Sequence, residues 1–149
     1  MEIVEASGGA HMDQLRSLFK EYWASFGFTP CFQGFETELE NLPAGYSALW
    51  LAIVDGQAAG CVALRRIDEE RAEAKRLWVR PEFRGKGIGR KLLETSIARA
   101  RETGFKQLVG DTMPVMADAL SMYERMGFQR IEPYLANPTP GAICIGYTL

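Results

Sequence analysis

Histidine is almost missing from this chain: His11 is the only one in 149 residues. One imidazole leaves no room for a histidine-rich metal site, and no Ser-His-Asp or Cys-His machinery beyond what His11 itself could serve. His11 stands in GGAHMDQL, at the apparent start of a helix, where polar residues are common. Cysteine is scarce too. Cys31, Cys61 and Cys144 are odd in number, widely spaced and without a CxxC pair. A disulfide framework is therefore not indicated, and buried free thiols in a reducing cytoplasm are expected. No apolar run approaches the length of a membrane span. The opening MEIVEA carries an acid and no basic stretch before an apolar one, so a secretory leader is not expected.

What is present is ordinary for a soluble globular chain, with 47% hydrophobic and 24% charged residues. A chain of this length buries roughly two thirds of its unfolded surface, enough for one core, and residues 1–149 are read as one domain. Residues 1–6 alternate apolar and polar, as an edge or hairpin strand does. From Met12, the positions Leu15, Leu18, Phe19, Tyr22, Trp23 and Phe26 follow helical spacing. A shorter helix is expected over Phe35 to Leu42, ending at Pro43. The period then changes. LWLAIV, the Asp55-Gly56 turn, QAAGCVALRRI and EAKRLWV predict an antiparallel meander of three strands. A helix from Gly87 to about Thr103, a strand over 105–112, a helix from Met116 to Met126 and two last strands complete an α+β or mixed α/β pattern.

Charge is unevenly spread. The segment from Lys75 to Lys91 holds seven bases and one acid, Glu82, and carries +6, which leaves −8 for the rest of a chain whose net charge is −2. Such a cluster favours an anionic ligand. Within it, RGKGIG lies between an apparent strand and an apparent helix. Glycines at 85, 87 and 89 let the backbone turn tightly and approach a ligand. The helix that follows presents unpaired amides and its positive dipole end, so the turn can cradle a pyrophosphate. It is not a Walker loop, since Lys86 precedes Gly87 rather than Ser or Thr. Nor is it a dinucleotide GxGxxG, since position 90 is Arg. A plain tight turn with solvated charges fits the residues as well.

LWVRPEFRGKGIGRKLLE resembles the acetyl-CoA signature of the GNAT N-acetyltransferase superfamily, Gln/Arg-x-x-Gly-x-Gly/Ala, with Arg84, Gly87 and Gly89 in its three places. ALSMYERMGF, over 119–128, is similar to the second landmark of that family, a helix carrying Tyr and ending in Gly-Phe. The resemblance runs from about Ala48 to the C-terminus. It implies a mixed, mostly antiparallel sheet of six to seven strands, splayed into a V between its fourth and fifth strands and flanked by about four helices. It also implies that acetyl-CoA is the cosubstrate. The pantetheine arm would pair with the backbone of Leu77, Trp78 and Val79. The pyrophosphate would rest on the turn formed by Arg84, Gly85, Lys86, Gly87, Ile88, Gly89 and Arg90. Asp118 stands where many relatives place an Asn near the pantetheine.

By the same resemblance Tyr123 is the general acid toward the CoA sulfur and Glu73 the candidate base, while the spacing alone also fits a core tyrosine and a surface acid beside Glu69 and Glu70. Unbroken alternation would put Glu73 on one face with Lys75, Leu77 and Val79; a bulge would change that parity. A backbone amide near Leu77 or Trp78 is expected to polarise the thioester carbonyl. Tyr22, Phe26, Phe32, Phe35, Tyr46 and Tyr134 are candidate walls of the acceptor pocket, with Glu36 or Glu38 to attract a cation. The expected partner is a small-molecule primary amine; a protein amine, or a module that senses acyl-CoA without catalysis, are the alternatives. Neither a metal, nor nucleic acid, nor a membrane is called for, and a homodimer is left open.

Overall fold

The computed structural model describes residues 1–26, 34–135 and 141–149. In chain order its elements are β1 (Glu2–Glu5), α1 (Gly9–Ala24), α2 (Phe35–Asn41), β2 (Ala48–Val54), β3 (Gln57–Arg66), β4 (Arg71–Val79), α3 (Ile88–Thr103), β5 (Gln107–Thr112), α4 (Ala117–Arg125), β6 (Gln129–Arg130) and β7 (Ile143–Thr148). The strands form one sheet in the order β1-β2-β3-β4-β5-β7-β6. Every neighbouring pair is antiparallel except β4 and β5, which run parallel. The expected meander is thus β2-β3-β4. Asp55 and Gly56 both take positive φ in its first turn, as a two-residue hairpin loop requires. His11 is exposed in the first turn of α1, and Cys61 and Cys144 are buried free thiols. Among the described residues, no helix is long and apolar enough to cross a membrane.

The apolar runs of β2 and β3 are nearly continuous because both of their faces are covered. On one face Leu49, Leu51, Cys61, Ala63 and Trp78 pack with Leu15, Leu18, Phe19 and Trp23 of α1 and with Phe35 and Leu39 of α2. On the other, Trp50, Val62, Leu64 and Ala72 pack with Leu92, Leu93 and Ile97 of α3 and with Tyr123 of α4. These two faces are called here the α1 face and the α3 face.

The sheet opens between its fourth and fifth strands. Only Arg71, Ala72 and Glu73 pair with β5, opposite Gln107, Leu108 and Val109. Beyond that point β5 stays with β7 as far as Thr112, and β4 stays with β3. A β-bulge marks the opening. Cys61 faces Trp78 and Ala63 faces Lys75, so Val62 stands opposite the two residues Arg76 and Leu77. Arg76 takes φ 58, a left-handed conformation in which a bulky residue is strained. The bulge settles the parity of β4. Glu73, Lys75 and Trp78 lie opposite α1-face residues of β3, whereas Ala72, Ala74, Leu77 and Val79 belong to the α3 face. Glu73 therefore does not share a face with Leu77 and Val79.

Candidate active-site cleft

The glycine turn leads into α3 as the sequence predicts. Gly85 and Gly87 both have φ 78, and a Cβ added at either would meet nothing within 4 Å, so conformation rather than crowding selects glycine there. Gly87 caps α3 without a side-chain hydrogen bond. The first amide bonded back to the cap is that of Lys91, to Gly87 O at 3.1 Å, which leaves the amides of Ile88, Gly89 and Arg90 without intrahelical partners. Gly89 faces inward, and a Cβ there would lie 3.6 Å from Val79 and 3.7 Å from Met122.

Arg84 folds back over this turn. Its Nε donates to Val79 O at 2.9 Å and its guanidinium lies 4.7 Å above the Trp78 ring. Since the Arg80 amide donates to Ala59 O at 2.9 Å, alternation along the ladder turns the Val79 amide and carbonyl away from β3 and toward the opening. An extended ligand could pair there.

The cleft itself passes through the split in the sheet. Tyr22, Ala74, Lys75, Arg76, Leu77, Asp111, Thr112, Met116, Ala119 and Tyr123 line it. Alternation from Leu108, which is on the α3 face, puts Gly110 and Thr112 on that face and Asp111 on the α1 face. The two sides of the opening therefore differ in kind. On the α3 side stand Ala74, Leu77, Thr112, Ala119 and Tyr123. On the α1 side stand Tyr22, Lys75, Arg76 and Asp111.

Tyr123 is buried, with its ring 5.5 Å from that of Phe128, and its hydroxyl makes no hydrogen bond to any described residue. Burial pushes its pKa up, so the phenol stays protonated. Thr112 Oγ1 is likewise buried without a partner among the described residues. Both hydroxyls stand beside the cleft, where they can bond a ligand.

The α1 side is a network of charges. Glu73 is fully buried; its Oε1 lies 2.5 Å from Arg65 Nε and its Oε2 accepts from the Tyr134 hydroxyl. Arg76 holds Glu38 at 2.9 and 3.2 Å and lies against the rings of Tyr22, Trp23 and Phe35. Those contacts hold the strained bulge residue in place. Burial raises the Glu38 pKa, but the hydrogen bonds and charge of Arg76 outweigh it and the net shift is downward. Burial lowers the pKa of Lys75, and Arg76 adds to that; burial raises the pKa of Asp111. The Tyr22 phenol is pushed up to about 12, chiefly by burial.

An open sheet split after three paired residues, with a glycine-capped helix beside the gap, is the architecture that the sequence resemblance implied. A model of the acetyltransferase (GNAT) family matches residues 12–128. The chain belongs to that family. It is 34% identical over 138 residues to an uncharacterized N-acetyltransferase of Schizosaccharomyces pombe, covering 89% of this chain and 85% of that one. It shares its fold with an acetyltransferase from Streptococcus agalactiae, at a TM-score of 0.84 and 24% identity, over 99% of this chain and 98% of that one. A GNAT family acetyltransferase from Elizabethkingia anophelis, whose structure has acetyl-CoA bound, superposes with a TM-score of 0.70 at 20% identity, over 99% and 97% of the two chains.

Within this GNAT fold the residues singled out from sequence separate into groups. Leu77, Val79, Gly85, Gly87, Gly89 and Tyr123 gather around the cleft and the turn beside it. Ile88 is buried in the core of the α3 face, while Lys86 and Arg90 are exposed on the turn. Trp78 lies on the α1 face, its Nε1 donating to Glu21 Oε1 at 3.2 Å. Asp118 is exposed in the first turn of α4 and does not line the cleft. Glu73 sits behind the cleft wall rather than on it.

The basic cluster needs a correction. Lys75, Arg76 and Arg80 turn to the α1 face, where their nearest acids are Glu73, Glu38 and Glu21; only Arg84, Lys86, Arg90 and Lys91 remain near the glycine turn. Of the acceptor-wall candidates, Tyr22 lines the cleft, Phe26 packs on it with centroids 5.0 Å apart, and Tyr46 donates to Glu38 at 2.7 Å. Phe35 stacks on Trp23 at 3.9 Å, and Tyr134 holds Glu73. Glu36 is exposed on α2. Glu38 does attract a cation, but it is the protein's own Arg76. Phe32, Cys31, Asn137, Pro138 and Pro140 lie outside the described residues. Sequence reasoning missed Lys75, Asp111 and Thr112. For Asp111 the signal was an acid shortly after the apolar Leu108-Val109 of a strand, where a charge calls for a partner or a cleft.

Proposed function

We propose that this GNAT acetyltransferase moves the acetyl group of acetyl-CoA directly onto a primary amine of a small molecule, with the donor entering from the α3 side of the cleft and the acceptor from the α1 side. The observation that carries this reading is the cleft through the split sheet, with a protonated tyrosine on one side and a charged wall on the other. The donor side fits acetyl-CoA: uncapped amides, open glycine positions and the bases of the turn suit a diphosphate, and the outward Val79 backbone suits an extended arm. The thioester is the chemistry that acetyl-CoA supplies.

The chain's own groups do the rest. The amine nitrogen bonds to the carbonyl carbon and the carbon–sulfur bond breaks. Trp78 is turned to β3 by the ladder, so the Leu77 amide in the bulge is the donor suited to the carbonyl oxygen. Tyr123, kept protonated by burial, meets the departing sulfur as a hydrogen-bond donor. Thr112 Oγ1 is free to bond the arm of the donor. Two carboxylates stand on the acceptor side to receive the amine's proton. Asp111 lines the cleft and is the stronger base for being buried. Glu73 is one layer behind, reached through Lys75 and Tyr134. The buried aromatics and paired charges of that wall suit a compact ligand better than a flat protein surface.

Calorimetric titration with acetyl-CoA and then CoA, followed by thiol release with a panel of amines, tests this. Micromolar binding with turnover supports transfer. Binding without any turnover would leave a sensor of acyl-CoA, and no binding at millimolar ligand would remove the reading altogether. Asp111→Asn and Glu73→Gln separate the two bases: the variant that loses the acidic limb of the kcat/KM profile has lost the proton acceptor.

A further inference from the structure

We propose that the acceptor is an amine that also carries a carboxylate, an amino acid or a close analogue, with its ammonium group held by Asp111 and its carboxylate by Lys75. This rests on the acetyl-transfer reading above and narrows it to a substrate class. The charges on the acceptor wall differ in how closely they are already matched. Arg65 is matched by Glu73 at 2.5 Å, Arg76 by Glu38 at 2.9 Å and Arg80 by Glu21 at 2.9 Å. Lys75 is not. Its Nζ lies 3.9 Å from the nearest carboxylate oxygen, that of Glu73, and makes no hydrogen bond to any described residue, although its side chain is only 15% exposed. An ammonium that is largely enclosed and donates to no described residue has hydrogen bonds to offer a ligand.

Asp111 is its counterpart on the other lip of the cleft. Among the described residues it forms no ion pair within 4 Å, its carboxylate is bonded to its own backbone amide and to no other side chain, and it lines the same cleft as Lys75. The two do not pair with each other because β4 and β5 have parted after Glu73 and Val109. Opposite charges are thus held on facing lips, each penalised by burial in its charged form. A ligand with one ammonium and one carboxylate satisfies both together. A simple amine satisfies Asp111 alone, and a diamine also brings a second cation toward Lys75 and Arg76, which costs binding. A chain amine within a protein offers no carboxylate beside it. The lining itself therefore selects for a free amino acid.

The test compares matched acceptors in one assay. The standard L-amino acids, β-alanine and γ-aminobutyrate are each offered with acetyl-CoA beside the corresponding amide and the corresponding decarboxylated amine, and thiol release is followed. At least one carboxylate-bearing amine is expected to exceed its amide and its decarboxylated amine about tenfold or more in kcat/KM, the effect of one charge-assisted hydrogen bond. Lys75→Gln should bring that ratio close to one, chiefly through KM, and Lys75→Arg should keep it above one. Amides or decarboxylated amines used as well as the acids would overturn the proposal, as would a ratio that survives Lys75→Gln. Titration of the same preparations with CoA distinguishes the levels of failure. CoA binding without turnover of any carboxylate-bearing amine sinks this inference alone, and absence of CoA binding removes the acetyl-transfer reading with it.

Discussion

The two sides of the cleft are built by different means. The α3 side is made of backbone and small or neutral groups: uncapped amides at Ile88 to Arg90, the outward face of Val79, Ala74, Thr112 and Tyr123. The α1 side is made of charged side chains supplied by five elements, with Glu21 from α1, Glu38 from α2, Arg65 from β3, Glu73, Lys75 and Arg76 from β4 and Asp111 from β5. The first kind of surface suits a ligand that is the same in every member of a family, because backbone amides and glycine turns are read off a few adjacent residues. The second suits a variable ligand, because its character is set by side chains, which substitution changes more readily than it changes backbone amides.

That contrast can be broken at several points. The largest effect is expected from Glu73→Ala on the α1 side. It leaves Arg65 and Lys75 near a buried hole and removes the partner of Tyr134, so stability should fall by about 3 kcal/mol, read by denaturant unfolding. A loss below 1 kcal/mol would mean that the wall does not depend on its central carboxylate. On the α3 side Gly87→Asp should leave the fold in place, since nothing lies within 4 Å of the new Cβ and Asp tolerates positive φ better than most residues. Its carboxylate would face the diphosphate, and affinity for CoA should drop roughly 100-fold by calorimetry; retained affinity would put the cradle elsewhere.

Tyr123→Phe should lower kcat roughly 100-fold with little change in melting temperature, because the hydroxyl bonds to no described residue and its loss strands no partner. Unchanged turnover would return Tyr123 to the core. The smallest effect is expected at Glu38, whose carboxyl is held below its ordinary value by Arg76. A depressed folded pKa contributes stability that is present above the unfolded value, near ~4.3, and is lost as the pH falls through the folded value. Glu38→Gln should therefore be less stable than the parent at neutral pH and converge on it in acid. A constant gap across that range would mean that the Arg76 pair does not set it.

The legible part of the site follows the same divide. Gly87 and Gly89, Tyr123 and the meander could be read from the sequence because each depends on residues a few positions apart: a glycine with positive φ before a helix, a helical repeat, an alternating strand. Glu73 was found as a candidate but its surroundings were not, since Arg65 and Tyr134 reach it from 8 and 61 positions away. Lys75 and Arg76 looked like part of a cluster turned toward an anion. The bulge at Arg76 and Leu77 swings them to the opposite face, and a bulge has no reliable mark in a sequence without glycine at the place where it occurs.

By itself the sequence determined the order of strands and helices, the glycine turn that starts α3 and the family to which the chain belongs. These rest on local periodicity and on backbone conformations that only certain residues adopt. Tertiary structure alone decided which charges are spent inside the protein and which stay open to a ligand. Pairing depends on distances between atoms that the chain brings together only on folding, and Lys75 and Asp111 line one cleft because β4 and β5 part between them.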